Sequence, residues 1–381
     1  MKKTVAVFFG GRSPEHDISV ITALSAVIKP LELTQKYTVI PVYITKTGKW
    51  VSDDKLKDIK LYQGAGFNEF IAKIKPVSLK LDGGLILRSG RRERRIDIGF
   101  PAMHGSYGED GSLMGILRMA GIPFVGADLA ASVVAMDKVL AKQVIEANDI
   151  ATAKFIFFTR DDFAQDSRSI IKNAMERLHF PLFVKPAHLG SSIGIAQVKT
   201  ADELHNAIEV AAYYDEKIIV EEAVSNLIEV TVPIMGNDHP KTALVERPLA
   251  QGDEFFDFDT KYIHGGKKNG GKTTGAQGYS QLPAELPDNL YEQAQETALA
   301  VYKAVGITGM SRIDLLIDAK AKKVYFNEIN PLPGSLYAHN WRAAGISSID
   351  LVEKLIQLAQ ERFVEQQKLT TTFDSSFLKQ F

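Results

Sequence analysis

The chain has 381 residues, 45% of them apolar, and a formal net charge of −1, which suits two or three globular domains with a large core. It has no cysteine, which excludes disulfides, thiolate metal sites and thiol catalysis, and which is compatible with a reducing cytoplasm. The near-neutral charge gives no general nucleic-acid footprint, and no apolar run approaches the length of a membrane span. We therefore expect a cytoplasmic protein whose partners are small molecules, not nucleic acid or a membrane.

The first part of the chain is predicted to be an α/β unit. "TVAVFFGG" is interpreted as a strand, because its apolar run is short for a signal peptide and no cleavage site follows. "HDISVITALSAVIKPL" has helical spacing, and "YTVIPVYIT" is a second strand, so an open, mostly parallel sheet is expected. Residues 50–95 are predicted to be irregular, with an exposed basic hairpin at "RSGRRERR". A strand, a glycine-rich loop and a helix then complete the unit near residue 125.

The later segments indicate two more units. Strands "AKFIFFT", "PLFVKPA", "IAQV" and "KIIVEEAV" alternate with helical segments and predict a small α+β unit. A strand "EVTVPIMG", a long loop at 251–284 and a helix from "NLYEQAQETALAVYKAVG" follow. The stretch "RIDLLIDAKAKKVYFNEIN" predicts a hairpin that turns at "DAKAK", and a C-terminal helix ends the pattern.

The polar residues of this hairpin predict a binding site. Side chains two apart share a face of a strand, so Arg312, Asp314, Glu328 and Asn330 should converge on one patch. Oxygen donors without His or Cys suit a hard cation, and Mg²⁺ takes one or two carboxylates together with substrate phosphates. The alternative is an internal arginine–carboxylate network, which would also offset the cost of burying these charges.

Other segments offer groups that could bind a nucleotide. In "FVKPAHLGSSIGIAQV", Lys185 ends a strand, and small residues with Ser191 and Ser192 follow, as a phosphate-binding loop requires. The alternative for this stretch is an ordinary β-turn. Lys138 in "AMDKVLAK" is a second candidate cation, although a single helical lysine is commonly a surface residue. Glu221 and Glu222 could accept from ribose hydroxyls and the adenine amino group, or simply form a solvated strand end.

The motifs together resemble the D-alanine–D-alanine ligases of the ATP-grasp superfamily. They are "GGRSPEHDIS", "HGSYGEDG", "AMDKVLAK", "FVKPAHLGSSIGI", "FDFDTKY", "SRIDLL" and "NEINPLPG", and the resemblance extends to about residue 365. It implies three α/β domains: a substrate-binding domain at 1–125 and two ATP-grasp subdomains at 126–222 and 223–381. It also implies that ATP phosphorylates the carboxylate of one D-alanine and that the amine of a second D-alanine attacks the acyl phosphate, which supplies peptidoglycan synthesis.

The resemblance also implies a role for individual residues. Glu15 would hold the ammonium of the first substrate in a network with Ser191 and Tyr262, and His104 would lie near its carboxylate. Arg312 and the Gly334 backbone N–H would stabilise the oxyanion of the tetrahedral species. Two Mg²⁺ ions, for which Mn²⁺ could substitute, would be held by Asp314, Glu328 and Asn330. The candidate ATP-binding residues are Lys138, Lys185, Ser192, Glu221, Glu222, Glu229 and Lys261. A homodimer is compatible with the resemblance.

Two segments depart from the family pattern. The loop predicted to close over the site, residues 257–280, has a glycine- and lysine-rich extension at 263–280, which is either an insertion without contacts or an added phosphate or substrate contact. The stretch after Pro-Gly is about four residues shorter than the family pattern, which normally supplies a serine for the carboxylate of the second substrate. Ser335 or His339 could replace that serine. A ligase that joins D-alanine or another amino acid to a different amino or hydroxy acid therefore remains open, as does a non-catalytic ATP-binding protein.

Overall fold

The computed structural model describes residues 2–249, 280–372 and 374–380. Tyr262, Lys261 and nearly all of the predicted closing loop lie outside the described residues. Within the described part, no helix is long and apolar enough to cross a membrane.

A four-stranded sheet organises the first part of the chain, and its order is β3-β2-β1-β7. The strands of this part, in chain order, are β1 (Lys3–Gly10), β2 (Tyr37–Ile44), β3 (Trp50–Val51), β4 (Ser78–Leu81), β5 (Leu85–Ser89), β6 (Arg92–Ile96) and β7 (Ile98–Pro101). Strands β2, β1 and β7 are parallel and β3 is antiparallel, so the predicted open, mostly parallel sheet is confirmed. Residues 5–9 of β1 are fully buried, as expected for a strand covered on both faces.

Helices cover this sheet, and the first of them follows the loop after β1. They are α1 (His16–Ile21), a π-helical segment (Thr22–Ile28), α2 (Lys29–Leu33), α3 (Ile59–Gln63), α4 (Phe67–Lys73) and α5 (Ser112–Met119). The turn from β1 into α1 needs glycine, because Gly10 has φ +85° and a Cβ on it would lie 2.2 Å from the Ile44 carbonyl oxygen. Glu15 is the N-cap residue of α1 and therefore lies at the carboxyl end of β1.

The segment between β3 and β7 is more ordered than its composition predicts. Strands β4, β5 and β6 form an antiparallel sheet, and the predicted basic hairpin is confirmed as β5 and β6. The expectation of irregular structure is wrong, because Leu56, Leu85 and Ile96 are buried and hold the segment in place.

The second sheet is antiparallel and has the order β10-β9-β11-β8. Its strands are β8 (Phe155–Thr159), β9 (Leu182–Pro186), β10 (Ala196–Val198) and β11 (Lys217–Glu222). The helices of this part are α6 (Leu129–Met136), α7 (Lys138–Glu146), α8 (Arg160–Gln165), α9 (Ser167–Arg177) and α10 (Ala201–Tyr214). Helix α10 packs against β9 and β11 through Leu204, Ile208 and Ala211.

The third sheet has the order β13-β12-β16-β17 and is also antiparallel. The strands of this part are β12 (Leu227–Gly236), β13 (Lys241–Thr242), β14 (Arg247–Pro248), β15 (Ser280–Gln281), β16 (Gly309–Asp318) and β17 (Lys323–Asn330). Its helices are α11 (Asp288–Ala304), α12 (Ala338–Ala343) and α13 (Ser348–Gln367). Helix α11 covers the apolar face of the sheet with Leu290, Ala294 and Val301.

The C-terminal helix returns to the first sheet. Leu351, Val352 and Leu355 of α13 belong to the same buried cluster as Val5 and Val27. Residue 125 precedes α6 and residue 222 ends β11. The division into domains at these positions stays a prediction.

Candidate active site

The β16–β17 hairpin presents its polar residues on one face. Arg312 lies opposite Asn330 and Asp314 opposite Glu328, and the chain turns between Asp318 and Lys323, so the predicted pairing and turn are confirmed. Arg312 Nε and a terminal nitrogen donate to the two oxygens of Asp314 at 2.8 and 2.6 Å. Burial opposes the guanidinium charge, but the attraction of Asp314 outweighs it and raises the pKa of Arg312. The internal arginine–carboxylate pair considered as the alternative is therefore present on the predicted metal-binding face.

Two lysines of the second sheet and its neighbouring helix reach this hairpin. Lys138, the first residue of α7, places Nζ 3.4 Å from Glu328 Oε2 and 2.7 Å from the Leu189 carbonyl oxygen. Lys185, in β9, donates to Glu221 and lies 3.3 Å from Asn327 Oδ1. The candidate phosphate-binding cations and the candidate metal-binding carboxylates are thus brought together across the gap between two sheets.

The glycine- and serine-rich loop at 188–195 connects these groups to Glu15. Ser191 and Ser192 have φ values of +55° and +59°, which non-glycine residues rarely adopt. The Ser191 hydroxyl donates to Glu15 Oε1. A Cβ on Gly190 would lie 3.2 Å from Glu15 Oε2, so the loop backbone also approaches this carboxylate closely.

Thr22, which was not identified from the sequence, links the helix that follows Glu15 to the segment after the third sheet. Thr22 Oγ1 is hydrogen-bonded to His104 Nε2 and accepts from the Ser335 N–H, both at 2.9 Å. Glu15, Ser19 and Thr22 follow the spacing of one helix face, and this signal could have identified Thr22. Burial lowers the pKa of His104 to about 4, so the imidazole is neutral near pH 7.

The short stretch after Pro-Gly forms a left-handed turn. Ser335, Leu336 and Tyr337 have φ values of +51°, +52° and +51°. The ring of Tyr337 lies 5.3 Å from the Arg312 guanidinium carbon, and its hydroxyl is hydrogen-bonded to Thr231 Oγ1 at 2.9 Å. Such conformations store strain and concentrate at functional sites.

Ser335 and His339 lie on different sides of this turn. Ser335 faces Thr22, whereas His339 Nε2 lies 2.8 Å from the buried carboxylate of Glu246. Gly334 lies near the helix that follows Glu15, because a Cβ added to it would lie 4.0 Å from Ile18 Cγ2. Ser335 and Gly334 are therefore close to the Glu15 region, and His339 belongs to a separate polar cluster.

The acidic pair at the end of β11 is divided between two environments. Glu221 is buried, with Lys142 Nζ 2.9 Å from its Oε2 and Lys185 on its other oxygen. Burial opposes ionisation, but the two lysines outweigh it and lower the pKa of Glu221 to about 2. Glu222 accepts from the backbone N–H and Nδ1 of His179 at 3.0 and 2.9 Å. Neighbouring strand residues face opposite ways, so the two acids lie on different faces of β11.

One predicted site residue, Glu229, and one residue that was not predicted, Lys142, remain to be placed. Glu229 lies on β12 opposite Leu316 and is half-buried, one strand away from the hairpin face. Lys142 is 1% exposed and was not identified from the sequence. Its spacing of four residues from Lys138 on α7 was the available signal.

Lysines and acidic side chains that meet between two antiparallel sheets are the arrangement expected of an ATP-grasp enzyme. Two family models match, described as D-ala D-ala ligase N-terminus over residues 4–127 and D-ala D-ala ligase C-terminus over residues 144–357. The chain belongs to the D-alanine–D-alanine ligase family and is an ATP-dependent ligase.

Individual relatives agree with this assignment. The chain is 38% identical over 369 residues to a D-alanine–D-alanine ligase of Chlorobium phaeovibrioides, with 94% of this chain and 97% of that protein covered. It is 28% identical to the D-alanine–D-alanine ligase structure from Coxiella burnetii, with a TM-score of 0.80 and 96% of each chain covered. It is 31% identical to the VanG D-Ala:D-Ser ligase structure from Enterococcus faecalis, with a TM-score of 0.78, covering 94% of this chain and 100% of the other.

Proposed function

We propose that this protein uses ATP to join two D-alanine molecules to D-alanyl-D-alanine through an acyl phosphate, as a step in peptidoglycan precursor synthesis. The observation that supports this most is the approach of Lys138 and Lys185 to the β17 side chains Glu328 and Asn327. Phosphoryl transfer depends on positioning and on neutralising charge, and these groups offer both.

The first D-alanine would be held near Glu15. The Glu15 carboxylate, already fixed by Ser191, suits a substrate ammonium. His104 is neutral and buried beside Thr22, so it would lie near the substrate carboxylate without forming an ionic pair with it. In this arrangement the reacting carboxylate would face Arg312, Lys138 and Lys185.

Arg312 would stabilise the tetrahedral species. Asp314 holds the guanidinium by two hydrogen bonds, so the cation is oriented before the reaction. The Gly334 backbone N–H is proposed as the second donor to the oxyanion. Preorganised donors of this kind typically contribute 10²–10³ in rate each, so about that loss is expected without Arg312.

Asp314, Glu328 and Asn330 are proposed to hold two Mg²⁺ ions, or Mn²⁺ in their place. The described residues contain no group of three His, Cys, Asp or Glu side chains placed for a metal. The donor set nevertheless fits, because two carboxylates and an amide lie on one face of the hairpin. Asn330 Nδ2 donates to Asp314 Oδ2 at 3.0 Å, and the Asn330 amide oxygen would be the metal ligand. Bound Mg²⁺ would neutralise the phosphate charge.

The remaining nucleotide contacts are proposals of the same kind. Ser192 lies in the loop with φ +59° and would offer its N–H and hydroxyl to phosphate oxygens. Glu221, Glu222 and Glu229 are proposed for the adenine and ribose side. Lys261 and Tyr262 are proposed for the phosphates and for the Glu15 network, respectively, and both lie outside the described residues.

The carboxylate anchor of the second D-alanine is proposed to be Ser335. The Ser335 backbone N–H donates to Thr22, which is hydrogen-bonded to His104, so Ser335 lies near the proposed site of the first D-alanine. His339 is held by Glu246, a buried acid that would repel a substrate carboxylate. A cytoplasmic location is a further proposal, with which the absence of cysteine is compatible. A homodimer is also proposed.

The test is phosphate release from ATP and Mg²⁺ with a panel of D- and L-amino acids and D-hydroxy acids, with products identified by mass. We expect D-alanine alone to give the dipeptide and one phosphate per bond. The VanG structure is titled a D-Ala:D-Ser ligase, which makes D-serine the most informative alternative acceptor. A product formed with D-serine or a hydroxy acid but not with D-alanine would replace the proposed product and keep the ligase chemistry. ATP binding without any product would support a non-catalytic protein.

A further inference from the structure

His188 begins the 188–195 loop and lies between two carboxylates that come from different elements. Its Nδ1 lies 3.0 Å from Asp215 Oδ1, and its backbone N–H donates to Asp215 Oδ2 at 2.7 Å. Its Nε2 lies 3.3 Å from Asp137 Oδ2. Asp215 follows α10 and Asp137 precedes α7, so the imidazole joins the loop to two helix ends.

The charges around His188 favour its protonated form. Hydrogen bonds to Asp137 and Asp215 raise the pKa of His188 to about 9 against the opposing effect of burial. The other charged group at this cluster is Lys217, whose Nζ lies 2.5 Å from Asp137 Oδ2. Two carboxylates therefore face two cations, and both imidazole nitrogens act as donors at neutral pH.

The polar cluster around His188 also positions Lys138, a proposed phosphate-binding lysine. Asp137 caps α7 by accepting from the Val139 and Leu140 N–H groups at 2.9 and 3.1 Å. Lys138 follows directly, and its Nζ donates to the Leu189 carbonyl oxygen, one residue after His188. A displacement of the loop start would therefore move the hydrogen-bond partner of Lys138.

The loop needs such an attachment because its conformation is strained. Ser191 and Ser192 both adopt left-handed backbone angles, and residues in these regions stay there only when the surroundings hold them. At its far end Gly194 packs closely against Pro186 and Tyr214. His188 is the charged attachment at the near end.

We propose that His188 is a positioning residue, whose imidazolium fixes the 188–195 loop to Asp137 and Asp215 and so places Lys138, Ser191 and Ser192 for the phosphates of ATP. This inference rests on the proposed function, because it assigns a purpose to the geometry of the nucleotide site. In this role His188 acts through Asp137 and Asp215, not through contact with substrate or nucleotide.

The test compares ATP binding in three variants of the full chain. His188→Ala removes the link, and His188→Arg keeps a positive charge with several donors that does not titrate below pH 12. His205→Ala is the matched control, because the His205 side chain is 41% exposed against 37% for His188 and is paired with Glu209 on an exposed part of α10. The readouts are the ATP dissociation constant, the KM for ATP and thermal unfolding.

At pH 7.5 we expect His188→Ala to weaken ATP binding about tenfold or more, because ATP must then order a loop that has lost its charge-assisted hydrogen bonds. His188→Arg should restore most of the affinity, and His205→Ala should bind as the wild type does. Wild-type affinity should fall as pH rises through about 9, where His188 loses its proton. His188→Arg should show no such decline.

Unchanged ATP affinity in a folded His188→Ala variant would overturn the inference, and so would an identical pH profile in wild type and His188→Arg. If His188→Ala does not fold, Asp215→Asn replaces it, and unchanged affinity there would have the same meaning. The proposed function fails separately: wild-type protein would bind ATP yet form no peptide, and the binding comparison among the variants would still decide the role of His188.

Discussion

Thr22 Oγ1 accepts a hydrogen bond from the backbone N–H of Ser335 at 2.9 Å, although 313 positions separate the two residues in the chain. Thr22 lies on the helix that follows Glu15, and Ser335 follows the hairpin that carries Arg312. The Thr22 hydroxyl therefore links the segment of the proposed ammonium site to the segment of the proposed oxyanion site.

Replacing Thr22 tests this contact. Thr22→Val keeps the side-chain shape but leaves the Ser335 N–H without its acceptor, which typically costs about 1–3 kcal/mol in a buried setting. We expect a lower free energy of unfolding in denaturant titration and a raised KM for the second D-alanine. Thr22→Ser keeps the hydroxyl and should behave close to wild type; wild-type stability in Thr22→Val would contradict the role of the hydrogen bond.

Glu328→Gln tests the proposed metal face. Removing one carboxylate charge should reduce kcat by at least about 100-fold, the usual effect of losing one preorganised electrostatic contact. Unfolding should change little, since Glu328 is not part of the apolar core. Glu292→Gln, on an exposed turn of α11, is the control. Turnover equal to wild type at ordinary magnesium concentrations would remove Glu328 from the site.

Ser335→Ala and His339→Ala separate the two candidate anchors for the second substrate. Loss of a hydrogen bond to a charged group corresponds to about 10- to 150-fold in affinity. We expect Ser335→Ala to raise the KM of the second D-alanine within that range and His339→Ala to leave it nearly unchanged. If the KM rises only in His339→Ala, the anchor is His339. If it rises in neither variant, the assignment to the shortened turn is wrong.

His104 should make stability decrease in mild acid. Its pKa is about 4 in the folded chain, against 6.5 for a free histidine, so the unfolded chain binds an extra proton between these values. The contribution is present above pH 6.5 and is lost as pH falls toward 4. Between pH 6.5 and 5 the loss from His104 should be about 1.5 kcal/mol. Unfolding titrations at both pH values should show that stability falls by about this much more in wild type than in His104→Gln, a comparison in which the opposing effect of the nearby Glu109 cancels; identical slopes would contradict the assignment.

The sequence predicts those parts of the site that depend on local periodicity. Arg312, Asp314, Glu328 and Asn330 could be placed on one face because strand residues alternate. The parallel first sheet followed from its strand–helix–strand pattern in the same way.

Contacts between distant segments could not be predicted from one sequence. The Thr22–Ser335 bond, the burial of Lys142 against Glu221 and the position of His188 all depend on how separate elements pack. The left-handed turn at Ser335–Tyr337 has no local signal, since leucine and tyrosine disfavour that conformation. The ordered sheet between β3 and β7 was missed because its polar composition concealed a few buried leucines and isoleucines.

If ligation proceeds through an acyl phosphate, an oxygen of the D-alanine carboxylate passes to the released phosphate. D-alanine labelled with ¹⁸O in its carboxylate, incubated with ATP and Mg²⁺, allows this to be measured by mass spectrometry of the released phosphate. An acyl-phosphate pathway predicts one ¹⁸O atom per phosphate, together with ADP and the dipeptide. Unlabelled phosphate, or label found in AMP, would contradict the account.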